Sequence, residues 1–166
     1  QMSQEERRGV IDRALERLGP HDAPLRELES VDCTFDLLMD YGAYREYKRH
    51  RMQTYIPQPL TVENGYLVPP LVEEAGLREE FEGALRRAEE RFRALRSESP
   101  RVAEYLVTHA HKRRGLAKMN LRECYHLFKL RTGPQAHFSL ASAVTVAMEK
   151  ARAQHPHLFK YLRLRG

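Results

Sequence analysis

One segment of this chain alternates in twos. Val31-Asp32-Cys33-Thr34-Phe35-Asp36-Leu37 puts an apolar side chain at every second position among β-forming residues, the pattern of a strand with one buried face. The longer apolar stretches step in threes and fours instead, as helices do. Five or six helices around a few strands is an α+β arrangement.

The helices can be placed from their start and stop signals. Ser3 with Glu6 forms a capping-box pattern, and Val10, Ile11, Ala14, Leu15 and Leu18 follow at helical spacing until Gly19-Pro20, which predicts an N-terminal helix within residues 1–19. The strand is expected to lead into a helix over Tyr41 to His50. Met52 to Ile56 and Tyr66 to Val68 are short β-prone pieces on either side of Pro57, Pro59 and Asn64-Gly65, which predicts a hairpin. From Pro70, the series Leu71, Ala75, Leu77, Phe81, Leu85, Phe92 and Leu95, with Glu early and Arg late, predicts one long helix over 70–97. Pro100 opens another helix to about Thr108. Leu121, Tyr125, Phe128 and Leu130 form the next, ended by Gly133-Pro134, and Leu140, Val144, Met148 and Ala151 mark the core stripe of the last.

Size and charge narrow the classes. At 166 residues and 19.4 kDa, one domain with one substantial core is expected. Lys and Arg number 28 against 23 acids, a net charge of +5, which suits an anionic partner without choosing among nucleotides, nucleic acid and acidic proteins. Cys33 and Cys124 sit inside apolar patterns without CxxC or Cys/His spacing, so both read as reduced thiols and no metal is expected. No apolar run approaches the ~20 residues that span a bilayer, and no signal peptide opens the chain, so a cytoplasmic location without membrane contact follows. The opening Gln1-Met2 reads as the start of a fragment, one part of a longer chain.

Tyr47-Lys48-Arg49-His50-Arg51 raises the functional question. Two guanidiniums flanking an imidazole cannot be buried together without anionic partners, because an unpaired buried charge costs several kcal/mol, roughly. A second basic segment, from His109 to Lys118, reads either as a solvated strand and turn or as a phosphate contact. No aromatic residue interleaves with its charges, which disfavours nucleic acid as a partner.

The order of these motifs adds a further reading. Pro24-Leu25 before the strand, Arg49-His50-Arg51, Tyr55-Ile56-Pro57, Pro69-Pro70, then Asn120-Leu121-Arg122, His126 and Leu130-Arg131 resemble the flavin-dependent thymidylate synthases over roughly residues 20 to 162. The resemblance implies an α+β fold with a small, mainly antiparallel sheet and long helices. It also implies a homotetramer with FAD held where subunits meet, or a pseudo-tetramer with a second domain of a tandem chain. The family reaction converts dUMP to dTMP using methylenetetrahydrofolate, FAD and NADPH. By this resemblance Arg49, His50, Arg51, Asn120, Arg122 and His126 are cofactor-binding, and Arg131 is the catalytic-site arginine that contacts the dUMP base.

The chain departs from the family on one side of that site. Where the family continues past its triplet with serines, Asn-Glu and an arginine, an ungapped reading finds Thr54, Ile56, Pro57, Pro59 and Thr61. A gapped reading aligns Tyr55-Ile56-Pro57 and removes part of the substrate loop. Either way the donors for the nucleotide phosphate are absent, and each charge-assisted bond lost is worth roughly 1.5 to 3 kcal/mol. Glu104 stands at a second arginine position, Glu46 at a glutamine, Arg26-Glu27 at a Glu-His pair, and His137-Phe138-Ser139 at a Gln-x-Glu. The flavin-side positions mostly persist and the dUMP-side positions mostly do not. Three functions follow: a degenerate synthase-like domain that still holds flavin, an active FAD-dependent thymidylate synthase, and a basic nucleic-acid-binding module.

Overall fold

The basic segment after Thr108 becomes the middle of the sheet. In the computed structural model, which describes residues 2–165, β1 (Asp32–Asp40), β2 (Gln53–Pro57) and β3 (Lys112–Asn120) form an antiparallel sheet in the order β1-β3-β2. Phe35 and Tyr55 both lie opposite Ala117, and Cys33 and Gln53 both lie opposite Met119. Because side chains alternate along each strand, these residues share the inner face, while Thr34, Asp36, Leu38, Ile56, Arg114, Leu116 and Lys118 share the outer one.

Seven helices surround this sheet among the described residues: α1 (Gln4–Leu15), α2 (Tyr41–Tyr47), α3 (Pro70–Glu74), α4 (Arg78–Arg96), α5 (Pro100–Ala103), α6 (Leu121–Arg131) and α7 (Phe138–Gln154). The α+β class expected from the residue pattern is the one that forms. The capping box at Ser3 is present, with Glu6 accepting from the Ser3 N–H at 2.7 Å. From there α1 runs only to Leu15, its one buried residue, and is tied to the chain's end where Asp12 accepts from the Tyr161 hydroxyl at 2.8 Å.

Two local expectations are corrected. The segment predicted as one helix over 70–97 is two, because Gly76 adopts φ +69° and closes α3 with paired bonds, Gly76 N–H to Glu73 O and Leu77 N–H to Val72 O, both at 3.0 Å. The chain then restarts as α4. The predicted hairpin also does not form: β2 pairs with the distant β3, and Tyr66 makes only an isolated bridge to His111. Pro57 and Pro59 withhold two N–H donors at the point where a local hairpin would need them.

The main core lies between the sheet's inner face, α2, α6 and α7. It contains Met39, Tyr47, Ala117, Met119, Leu121, Tyr125, Phe128, Leu140, Val144, Met148 and Phe159. Phe128 meets Phe35 edge-on at 6.2 Å, and Tyr125 stacks on Phe159 at 5.8 Å. A smaller core of Val62, Phe92 and Ala103 sits under α4 and α5. Fully buried His111 joins the two, its Nε2 3.4 Å from Glu89 of α4 and its Nδ1 accepting from the Thr108 N–H at 3.1 Å. Among the described residues no helix is long and apolar enough to cross a membrane.

Candidate functional site

Helix α6 carries the site because of how it starts. Asn120 ends β3 and caps α6, its side-chain oxygen accepting from the Glu123 N–H at 2.8 Å. The helix buries Leu121, Cys124, Tyr125, Leu127 and Phe128 in the core, which leaves Arg122 and His126, one turn apart, facing outward. A cleft of about 280 Å³ opens beside them, walled by the 21–24 turn, Asn120, Arg122, His126 and Lys129.

Two cations hold the far wall of this cleft. Arg122 donates through Nε to Pro24 O and through Nη1 to Glu29, both at 3.0 Å. Lys129 is buried, and its ammonium donates to Gly19 O at 3.0 Å and Asp22 O at 2.8 Å. Burial holds its pKa below the ordinary lysine value, and the nearby Arg165 adds to that. Asp22, Glu29 and Glu123 share the cleft lining with Arg122, Lys129 and Arg165, so the wall mixes carboxylates with cations, and the Lys129 ammonium bonds to backbone carbonyls rather than to a carboxylate.

The triplet is divided between core and solvent. Arg49 and Arg51 are exposed, and Arg49 pairs with Glu46 at 3.1 Å. His50 is buried, its Nδ1 3.3 Å from the Glu123 carboxylate and its Nε2 2.8 Å from Arg131 Nε. A guanidinium has only donors, so Nε2 must be the acceptor and the imidazole proton sits on Nδ1, donated to Glu123. Arg131 continues toward Glu46, with Nη1 3.8 Å from its carboxylate. Glu123, His50, Arg131, Glu46 and Arg49 thus form one continuous chain of contacts.

Of the seven residues singled out from sequence, the fold gathers six into two adjoining groups. Asn120, Arg122 and His126 line the cleft; His50 and Arg131 lie in the network behind it, and the His50 and His126 rings are 6.0 Å apart. Arg49 joins through Glu46, and Arg51 stays on the exposed side of the triplet. Glu123 and Lys129 were not singled out, and Glu46 stood out only as a departure from the family's glutamine. Glu123 and His126, three apart on a capped helix, could have been recognised as sharing a face; Lys129 has no such sequence signal.

His50, Glu123 and His126 also bring three possible metal-ligand atoms within 4.8 Å of one another. Two histidines and one carboxylate is a composition that binds transition metals. A metal on His50 Nδ1 would require the remaining proton on Nε2, where the Arg131 N–H already points. The hydrogen-bonded network and a metal therefore exclude each other in this arrangement.

The positions aligned with the family's phosphate-loop residues carry no serine or arginine here, only the hydroxyls of Thr54 and Thr61. Thr54 and Ile56 lie on the sheet's outer face, Ile56 60% exposed, Pro57 ends β2, and Pro59 and Thr61 follow in the loop. Glu104 belongs to a short 3₁₀ turn, Glu104–Leu106, against the small core. In the basic segment, Arg114 pairs with Asp36 and Lys118 with Asp32, so two of its charges are neutralised by β1. Arg113 lies over the Tyr44 ring at 4.8 Å, an aromatic neighbour the linear sequence did not place beside it.

Three relatives share about a third of their aligned residues with this chain. A UPF0159 protein of Thermoplasma acidophilum is 33% identical over 135 residues, covering 80% of this chain. UPF0159 proteins of Chlamydia muridarum and Chlamydia pneumoniae are 34% and 31% identical over 144 and 145 residues, each covering 86% of this chain. In all three the match spans 27% of the relative's own length. The family model described as thymidylate synthase complementing protein matches residues 1–157. With that match across nearly its whole length, this chain belongs to the thymidylate synthase complementing protein family.

Proposed function

We propose that this chain is a synthase-family domain that holds flavin at the α6 cleft and no longer holds dUMP by itself. The observation that carries the reading is the contrast between two surfaces. Asn120, Arg122, His126 and the buried Lys129 ammonium converge on one cleft, while Ile56 and the prolines near it present no phosphate donors. The donor set suits a diphosphate or the electron-rich pyrimidine edge of a flavin. FAD is larger than a cleft of about 280 Å³, so a second surface would complete its site, from another subunit of a tetramer or another domain of a longer chain. Bound FAD supplies hydride chemistry; this chain's residues would bind and orient it.

The second reading is an active thymidylate synthase in which a further part of a longer polypeptide supplies the missing serine and arginine. The 27% span of the match within the relatives favours it, because most of each relative lies outside the matched region.

Visible flavin absorbance of the purified full-length protein tests the first reading. Retained yellow colour, or uptake of added FAD, is expected. Colourless protein that takes up no FAD overturns it. Growth of a thymidine-requiring bacterium on the full-length gene would establish the second reading, and failure to rescue would count against it.

A further inference from the structure

Arg49 and His50 of the triplet already have carboxylates beside them, Glu46 and Glu123, from the same chain. Glu46 lies between two guanidiniums, 3.1 Å from Arg49 and 3.8 Å from Arg131, and Glu123 takes the His50 Nδ1 proton at 3.3 Å. With His50 carrying its single proton on Nδ1, the two arginines and two glutamates sum to no net charge. Position sets how strongly each contact acts. The Arg131 side chain is 18% exposed and Glu46 29%, against 67% for Arg49, so the Glu46–Arg131 contact is the less screened of the two.

We propose that Glu46 is an internal anion that occupies Arg131 and thereby closes this site to a phosphate-bearing ligand. Arg131 is held from both ends. Its Nε is spent on His50, which Glu123 keeps in the accepting tautomer, and its Nη1 side faces the Glu46 carboxylate. An incoming dianion would have to displace Glu46 from Arg131 and would meet a fixed negative charge a few ångströms away, an unfavourable term at intermediate dielectric. Replacing Glu46 by the neutral, nearly isosteric glutamine keeps the side chain's reach and removes that charge. Arg131 is then free to accept a phosphate, with Arg49 alongside as a second donor.

The inference rests on the proposed loss of dUMP only for the choice of one probe, and flavin absorbance is not its readout, so the two fail separately. The experiment titrates the full-length protein with inorganic phosphate and with dUMP, comparing wild type, Glu46→Gln and Glu73→Gln. Glu73 pairs with Arg78 at the α3–α4 junction, away from this network, and its variant makes the same change in net charge. A gain of at least about tenfold in affinity for either probe in Glu46→Gln, equivalent to 1.4 kcal/mol, with Glu73→Gln unchanged, is the expected result. Equal affinities in wild type and Glu46→Gln overturn the proposal, as does an equal gain in both variants. A measurement on wild type alone guards against a misfolded variant: the Arg131 Nε–H resonance is expected to stay in place as phosphate is added, and its movement in the low-millimolar range also overturns the proposal.

Discussion

Tyr55 occupies the space that a side chain on Gly115 would need. A Cβ built on Gly115 collides with the Tyr55 hydroxyl and ring, and that hydroxyl is buried without a hydrogen-bond partner. Glycine here serves close packing of β2 on β3, and Tyr55 then reaches Tyr44 and Tyr47 with ring centroids at 5.4 and 5.5 Å.

Gly115→Ala is therefore expected to destabilise the fold by about 1–3 kcal/mol through overpacking. Tyr55→Phe should be neutral or mildly stabilising, because it removes a buried oxygen that has nothing to bond. Urea unfolding of both variants checks this; an unaffected midpoint for Gly115→Ala would show that Tyr55 moves aside freely.

The two thiols should react very differently. Cys33 on β1 is half-buried and its pKa is lowered to about 7, first by a hydrogen bond from the Cys124 thiol, whereas the pKa of buried Cys124 is raised by that same bond and by burial. Iodoacetamide near neutral pH is expected to label Cys33 and spare Cys124, as read by peptide mass spectrometry. Cys124→Ala should slow labelling of Cys33; unchanged labelling would mean the bond from Cys124 does not set its reactivity.

His111 predicts acid sensitivity at the junction of the two cores. Burial lowers its pKa, opposed by the hydrogen bond and charge of Glu89 and aided by the charge of Arg93. A histidine whose folded pKa is depressed contributes stability that is present above its unfolded value near ~6.5 and lost as pH falls through the folded value. Hydrogen exchange should therefore speed up in α4 and the start of β3 as pH falls from neutral to well below ~6.5. Identical protection at pH 7 and pH 5, after correction for intrinsic exchange rates, would exclude this.

His126 separates site from scaffold. Its side chain is exposed on α6, so His126→Ala should change stability by no more than about 0.5 kcal/mol. Under the proposed function the same variant loses flavin from the full-length protein, about tenfold in affinity. A variant that keeps wild-type flavin content would remove His126 from the site.

Much of this fold was legible because its signals were local. Ser3 with Glu6, the alternation over residues 31–37, the Leu121-Tyr125-Phe128 spacing and the Leu140-Val144-Met148 stripe each act within a few residues, and each produced the expected element. The failures were contests between local and distant preferences. Gly76 falls inside the pattern that predicts one helix over 70–97, yet its φ of +69° ends a helix there. The β2 segment had a nearby partner in sequence and took β3 instead, where Gly115 and Ala117 leave room on the inner face for Tyr55. At the site, the cationic residues were legible as types. Their anions were not legible as partners: Glu46 showed only as a departure from the family's glutamine, and the distance from His50 to Glu123 spans 73 positions in sequence.

Helix α6 interleaves two obligations along a single rod. Leu121, Cys124, Tyr125 and Phe128 fix its rotation against the sheet, and that rotation aims Arg122 and His126 into the cleft. A core change that turns the helix slightly swings the tips of both long side chains through a larger arc. Drift in the interior is therefore never silent at the surface of this helix, whereas drift on the exposed stripe leaves the interior untouched. Such a lineage can forget its ligand while its architecture endures.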